Sequence, residues 1–283
     1  MTPLFHYCTV HTFHSIVSSA RVRLSSVRHA NDATEGTLLS AAVARLARRA
    51  HLSEEEASRL QTRAGVLELQ FDGMALCLSE DGDLLSQWRG YADDGRGVAI
   101  GFNREYIDTL VELSEKSEGE KEQFNLALYQ TKYEPDEHDA AVEPLFNLLR
   151  SLQPVSPPEL AGNEKSQELV KRLEALQALR LSLEAYDQVY SLKHRAFAEE
   201  REWRLLHHFD WEHASPDGYH PRKGSLVPYV DLCLSAAILV PIAEVVLGPR
   251  HTTPVDVVTR FLEGHGQKGV TVRPSSSPYR RDT

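Results

Sequence analysis

Three short runs of this 283-residue sequence combine residue types that can do chemistry. The strongest is Lys193-His-Arg-Ala-Phe197-Ala-Glu-Glu200-Arg-Glu202-Trp203-Arg204-Leu-Leu. Its pattern predicts a helix ending near Phe197 and a strand beginning near Glu202. In an extended segment residues two apart share a face. Glu200, Glu202 and Arg204 would then project to one side, and Trp203 and Leu205 into the core. Two carboxylates and a guanidinium on one edge can orient a sugar's hydroxyls and stabilise a developing cation. The competing reading is a solvated charge run in which Glu202 pairs with Arg204. Spacing alone leaves the two level.

The second run is Phe5-His6-Tyr7. On a strand His6 faces away from Phe5 and Tyr7, and an imidazole there can donate to a ribose hydroxyl or phosphate. The plainer reading is an edge strand with an incidental histidine, and taken alone it is the better one. The third run extends from Ser79 through Trp88-Arg89-Gly-Tyr91 to Gly95-Arg-Gly97-Val-Ala-Ile-Gly-Phe102. Trp88 and Tyr91 are three apart, so one helical turn brings them to one face. Flat aromatics there suit a nicotinamide or a base, and suit core filling slightly better.

Other chemistries lack their signatures. There is no GxxxxGK[ST] loop, no HExxH and no GxSxG elbow. Gly95 and Gly97 precede a strand and do not open a helix, which makes them a tight turn, not a phosphate cradle. His207 and His208 alternate across a strand and cannot share one ion, so no metal is expected. The formal net charge of −10 argues against coating nucleic acid or an anionic membrane by charge alone. Arg45, Arg48 and Arg49 are the best candidates for a local basic groove, against the favoured reading of a solvated helix face. Cys8, Cys77 and Cys233 are isolated, and no leader or membrane span is recognisable. The expectation is a cytoplasmic protein without disulfides.

The elements that must position these residues alternate irregularly. Strands are expected at Leu4 to Thr9, Val22 to Ser25, Met74 to Ser79, Val98 to Phe102, Glu202 to Phe209, Leu226 to Val230, Ile238 to Leu247 and Gly269 to Arg273. Helices are expected at His11 to Ser19, at Thr37 to Ala50, after the capping box Ser53-Glu-Glu-Glu56, and around Val255 to Gly264. Residues 104–193 read as a mostly helical insertion, with a strand near Leu126 to Tyr133 and a leucine stripe at Leu169, Leu173, Leu176 and Leu183. The whole is an α+β domain over residues 1–273, with a disordered tail at 274–283.

Together the runs Leu-Phe-His6-Tyr7, Asn31-Asp32-x-x-Glu35-Gly36, the strand ending in Ser79, Trp88-Arg89-x-Tyr91 through Phe102, and Glu200-x-Glu202-Trp203-Arg204 resemble a large bacterial family of unknown function. That family is thought to carry an ADP-ribosyltransferase-like fold, distantly akin to DarT-type toxins. The resemblance implies a split, bent β-sheet around an NAD⁺ cleft, with NAD⁺ as co-substrate and no metal. It implies that Glu202 promotes cleavage of the nicotinamide bond and that Glu200 activates the acceptor. His6, Tyr7, Asn31, Ser79, Trp88, Arg89, Tyr91 and Arg204 become the positions expected around the dinucleotide. The Ser-Thr-Ser motif of arginine-targeting enzymes is reduced here to Cys77-Leu-Ser79. A toxin or antiphage effector of this class implies a macromolecular acceptor, nucleic acid or protein, an antitoxin or regulatory partner, and no membrane partner. A binding or scaffold module that keeps the fold without the chemistry is the alternative.

Overall fold

A computed structural model describes residues 2–29, 37–70, 72–116, 126–151, 190–209, 215–222, 224–234 and 239–279. The protein is α+β, with a large mixed sheet. Its chain divides into two compact units: residues 1–29, 73–131 and 196–283 form the first, and 30–72 with 132–195 the second.

The first unit holds the sheet. Its strands are β1 (Leu4–Cys8), β2 (Arg21–Ser26), β3 (Asp72–Ser79), β4 (Val98–Phe102), β5 (Leu126–Gln130), β6 (Glu202–Phe209), β7 (Gly218–Arg222), β8 (Ser225–Cys233), β9 (Ile242–Leu247) and β10 (Thr271–Pro274). The order β10-β9-β4-β1-β3-β2-β8-β7 is antiparallel except between β9 and β10, and β6 pairs with both β3 and β5. β3 therefore touches three strands. A strand has only two edges, so each contact is partial: β1 meets β3 at Phe5 and Ser79 alone, and β2 meets it only at Ala75 and Met74. The sheet forks at β3.

Composition explains which strands lie deepest. β4 reads Val-Ala-Ile-Gly-Phe and is buried along its whole length, as an apolar run without alternation requires. On one face Leu4, Cys8, Ile100 and Val245 meet helix α1 (Val10–Ser19), through Phe13, Ile16 and Val17. They also meet a helix over Arg104–Lys116 through Tyr106 and Ile107, and one over Val255–Gly264 through Val258 and Leu262. On the other face Phe5, Tyr7, Ala99 and Val246 cluster with Trp88 and Ala92. α1 starts where the Thr9 hydroxyl accepts from the Thr12 amide and ends at Ala20 in the left-handed region. The turn into β4 runs through positive φ at Asp93, Asp94 and Gly95. Gly97 follows because a Cβ there would stand 2.1 Å from the Cys8 carbonyl oxygen. β9 starts after Pro241, which has no amide to donate.

The second unit is helical. α2 (Leu38–Arg49), α3 (Glu54–Gln70) and a helix over Pro135–Ser151 bury Leu39, Val43, Leu46, Leu60, Leu145, Phe146 and Leu149. Ser53 caps α3 by accepting from the Glu56 amide at 3.2 Å. Asp139 pairs with both Arg45, at 2.7 Å, and Arg49, at 3.2 Å, so two charges of the possible basic groove are matched within their own helices' packing.

Two expectations shift. The stretch 104–193 does not stay together: residues 104–131 belong to the sheet unit, where β5 pairs along β6, and 132–195 join 30–72. The tail expected to be disordered is tied down through Tyr279 by bonds its composition could not announce. The leucine stripe from Leu169 to Leu183 lies outside the described residues, as does Asn31. In chain order the helices over Leu85–Tyr91, Arg104–Lys116, Pro135–Ser151 and Val255–Gly264 are α4, α5, α6 and α7.

Candidate functional site

The site begins at the fork. After the single Phe5–Ser79 pair, β1 and β3 no longer bond through their backbones. The His6 ring stands in for the missing ladder, with Nδ1 3.0 Å from the Cys77 carbonyl oxygen. A carbonyl only accepts, so Nδ1 carries the proton, and in the neutral ring Nε2 is left as an acceptor. Burial holds the imidazole below its usual value, against the pull of the Cys77 carbonyl, and favours that neutral form.

Opposite His6 comes the acidic run. Residues Arg195–Glu200 form a 3₁₀ turn, and Arg201 at φ 43° reverses the chain into β6. Glu200 is therefore not a strand residue, and alternation does not aim it. It is placed by the turn, whose Glu200 carbonyl accepts from the Ser79 hydroxyl at 2.8 Å and whose Arg201 donates to Asp81 at 2.7 Å. Tyr91 Oη donates to Glu200 Oε1 at 3.4 Å. Glu202, the first residue of β6, is 4% exposed, and Arg204 is 1% exposed. Arg204 donates to Glu202 Oε2 at 3.0 Å. The pair shares a face as alternation predicts, but that face is buried, which removes the solvated charge run as an account of it. Trp203, on the other face, packs beside the core, donates to Glu80 at 2.8 Å and carries the Arg104 guanidinium 4.3 Å above its ring.

A loop and a short helix close the third side. Tyr7 is buried, and its hydroxyl donates to the Asp81 carbonyl and accepts from the Leu84 amide, both at 2.8 Å, so it clips loop 81–84 to β1. Burial first, then the nearby carboxylates, push its phenol up. Asp83 accepts from the Trp88 indole at 2.8 Å, from the Ser276 amide and hydroxyl at 2.7 Å each, and from the Ser275 hydroxyl. Burial pushes the Asp83 carboxyl up, but these bonds outweigh it and hold it below the usual range. Trp88 is fully buried, edge-on to Tyr7 at 4.8 Å.

These elements enclose a small pocket, about 340 Å³ with its mouth included, reached by His6, Cys77, Ser79, Tyr91, Glu200 and Glu202. Of the residues singled out in the sequence, His6, Tyr7, Ser79, Tyr91, Glu200 and Glu202 line it, and Arg204 stands behind Glu202. Trp88 does not line it: its ring is enclosed by Tyr7 and the apolar cluster, so it supports the wall and cannot offer a face. Arg89, one position on, is exposed on α4 and lies outside the lining. Gln87, buried on α4, lines the pocket and was not foreseen, although it sits inside the run from Ser79 to Phe102. Among the described residues no group of three or more His, Cys, Asp or Glu side chains could hold a metal ion. No helix among them is long and apolar enough to cross a membrane.

Residues 87–205 match the model of a family described as Protein of unknown function (DUF2971), a stretch under half of the chain. The match opens within α4 and closes within β6, so it contains Tyr91, Glu200, Glu202 and Arg204. No curated protein and no solved structure matches the chain.

Proposed function

We propose that the protein is an NAD⁺-dependent ADP-ribosyltransferase with an ADP-ribosyltransferase-like split sheet, its catalytic pocket lying at the fork between β1 and β3. The observation that carries this reading is the meeting of the two glutamates with His6 and Tyr91 in one pocket, from three separate stretches of chain. The forked sheet adds support, because the fork is what opens room for a ligand beside β1.

The chemistry follows from the carboxylate. When the nicotinamide–ribose bond breaks, its electron pair leaves with nicotinamide and the anomeric carbon becomes oxocarbenium-like. A fixed carboxylate stabilises that cation without the reorganisation water would need. Glu202 is fixed by β6 and by Arg204, which donates to one of its oxygens. Neutral His6 accepts a ribose hydroxyl through Nε2 while Nδ1–H keeps its bond to Cys77. Tyr91 packs on the nicotinamide. Glu200 takes the proton from the acceptor hydroxyl, amine or water as the new bond to the anomeric carbon forms. We read the acceptor as a macromolecule and the biological role as that of a toxin or antiphage effector restrained by a partner.

One observation favours the other reading. Glu202 is nearly enclosed, as a carboxylate would be in a binding module where the ion pair serves only to hold β6. Nicotinamide release separates the two. The full chain incubated with NAD⁺ and with protein, RNA and DNA acceptors is expected to release nicotinamide and to leave ADP-ribose on one acceptor class or in water. No release with any of them would support the binding module.

A further inference from the structure

We propose that a second, wider hollow beside His6 receives the phosphate-bearing half of a nucleotide, with Arg21 and Arg23 as its anion-binding arms. The inference rests on the NAD⁺ reading of the smaller pocket and assigns the rest of the ligand to residues outside it. The smaller pocket itself holds about 50 Å³, far below the about 300–1,000 Å³ usual for ligand pockets, so it takes no more than a fraction of a dinucleotide. The neighbouring hollow holds about 610 Å³, within that range. Both include His6, so a ligand running past the imidazole lies in both.

β2 supplies the charge. Val22 and Leu24 are buried and Arg21 and Arg23 exposed, so both guanidiniums stand on one face of the strand, with Ser25 next along it. Among the described residues the Arg21 side chain has no hydrogen-bonded or ionic partner. Arg23 lies over the Tyr229 ring at 4.1 Å, and its nearest carboxylate, Asp231, is 3.7 Å away, too far for a good hydrogen bond. It is oriented and ion-paired at a distance that leaves its N–H donors without a good hydrogen bond to that carboxylate. His220, from β7, lines the same hollow, and its Nδ1 is buried without a hydrogen-bond partner. Burial first, then the charges of Arg23 and Arg222, hold its imidazole below the usual value. In a chain of net charge −10 this hollow gathers two arginines against one aspartate. Guanidiniums on one face suit phosphate oxygens, which take two parallel N–H bonds from each fork. The adjoining sugar-reading carboxylates make a nucleotide, not free phosphate, the matching ligand.

Calorimetry on the full chain tests this with ADP-ribose, which carries the diphosphate but no nicotinamide, beside nicotinamide alone and inorganic phosphate alone. ADP-ribose is expected to bind the wild type, and to bind Arg21→Gln and Arg23→Gln at least about 10-fold more weakly. Nicotinamide affinity and the melting temperature should be unchanged in both variants, because both side chains are exposed. The inference is overturned if the double variant binds ADP-ribose as the wild type does, if the wild type binds no ADP-ribose, or if inorganic phosphate binds as tightly. Nicotinamide release, followed on the same samples, keeps the two proposals apart. Arginine-dependent ADP-ribose binding without release would uphold the phosphate arms and remove the transferase. Release with arginine-independent binding would do the reverse.

Discussion

His6 shows what a single residue contributes at the fork. Its ring replaces a backbone bond, so removing it should cost binding more than folding. His6→Gln is expected to weaken NAD⁺ at least about 10-fold by calorimetry, because a buried polar contact to the ribose is lost. Equal affinity would remove His6 from the site. The same residue has a pH signature. Its folded pKa lies below its unfolded value of about 6.5, so below that pH the unfolded chain binds more protons than the folded one. The stability tied to a neutral His6 is complete above about pH 6.5 and is lost as pH falls toward the folded pKa. His220 shifts in the same direction and adds to the slope. Urea midpoints at pH 7.5 and 5.5 should therefore fall with acidification in the wild type and fall less in His6→Gln. An identical slope would mean that the imidazole titrates freely.

Elements explain why some of the site was legible and some was not. Period-two alternation in β6 correctly put Glu202 and Arg204 on one face, because strand geometry is local. The same rule failed at Glu200. Arg201 adopts φ 43°, a conformation usually reserved for glycine, and nothing in the letters Glu-Arg-Glu announces it. The spacing of Trp88 and Tyr91 found α4 but not which of the two faces the pocket, since that depends on Tyr7 and Ala99 beneath it. The tail shows the limit of composition. Its serines and proline resemble a disordered end, yet Ser275 and Ser276 fill the carboxylate of Asp83, a partner far away in sequence. Truncation after Pro274 removes those donors and should lower the urea midpoint by about 1–3 kcal/mol of stability. Trp88→Phe, which removes one more donor to Asp83, should cost about 1–2 kcal/mol. An unchanged midpoint in the truncated chain would show that the strap bears on nothing.

At the scale of the molecule, the order of strands came from pairings no local pattern encodes. The sequence anticipates nearly every strand, but not that β3 is shared among β1, β2 and β6, and the fork made by that sharing is where the pocket opens. Folding and chemistry meet at the Glu202–Arg204 pair. Removing one partner of a buried ion pair costs about 3–5 kcal/mol, so Arg204→Met should unfold at markedly lower urea. Glu202→Gln keeps size and an acceptor oxygen, but it removes the charge beside a buried guanidinium, so some loss of stability is expected with it. Its effect on chemistry must be read on protein shown to be folded by circular dichroism.

That variant carries the central claim. If Glu202 stabilises the cation formed as nicotinamide leaves, folded Glu202→Gln should bind NAD⁺ nearly as the wild type does, yet release nicotinamide about 10²-fold more slowly or worse, a loss of about 3 kcal/mol in the transition state. The measurement is single-turnover nicotinamide release from labelled NAD⁺, with wild type and variant side by side at equal folded concentration. Wild-type release with a 10²-fold deficit in the variant is the predicted result. Equal release from the two proteins would contradict the role given to Glu202, and no release from the wild type with any acceptor would contradict the enzyme itself.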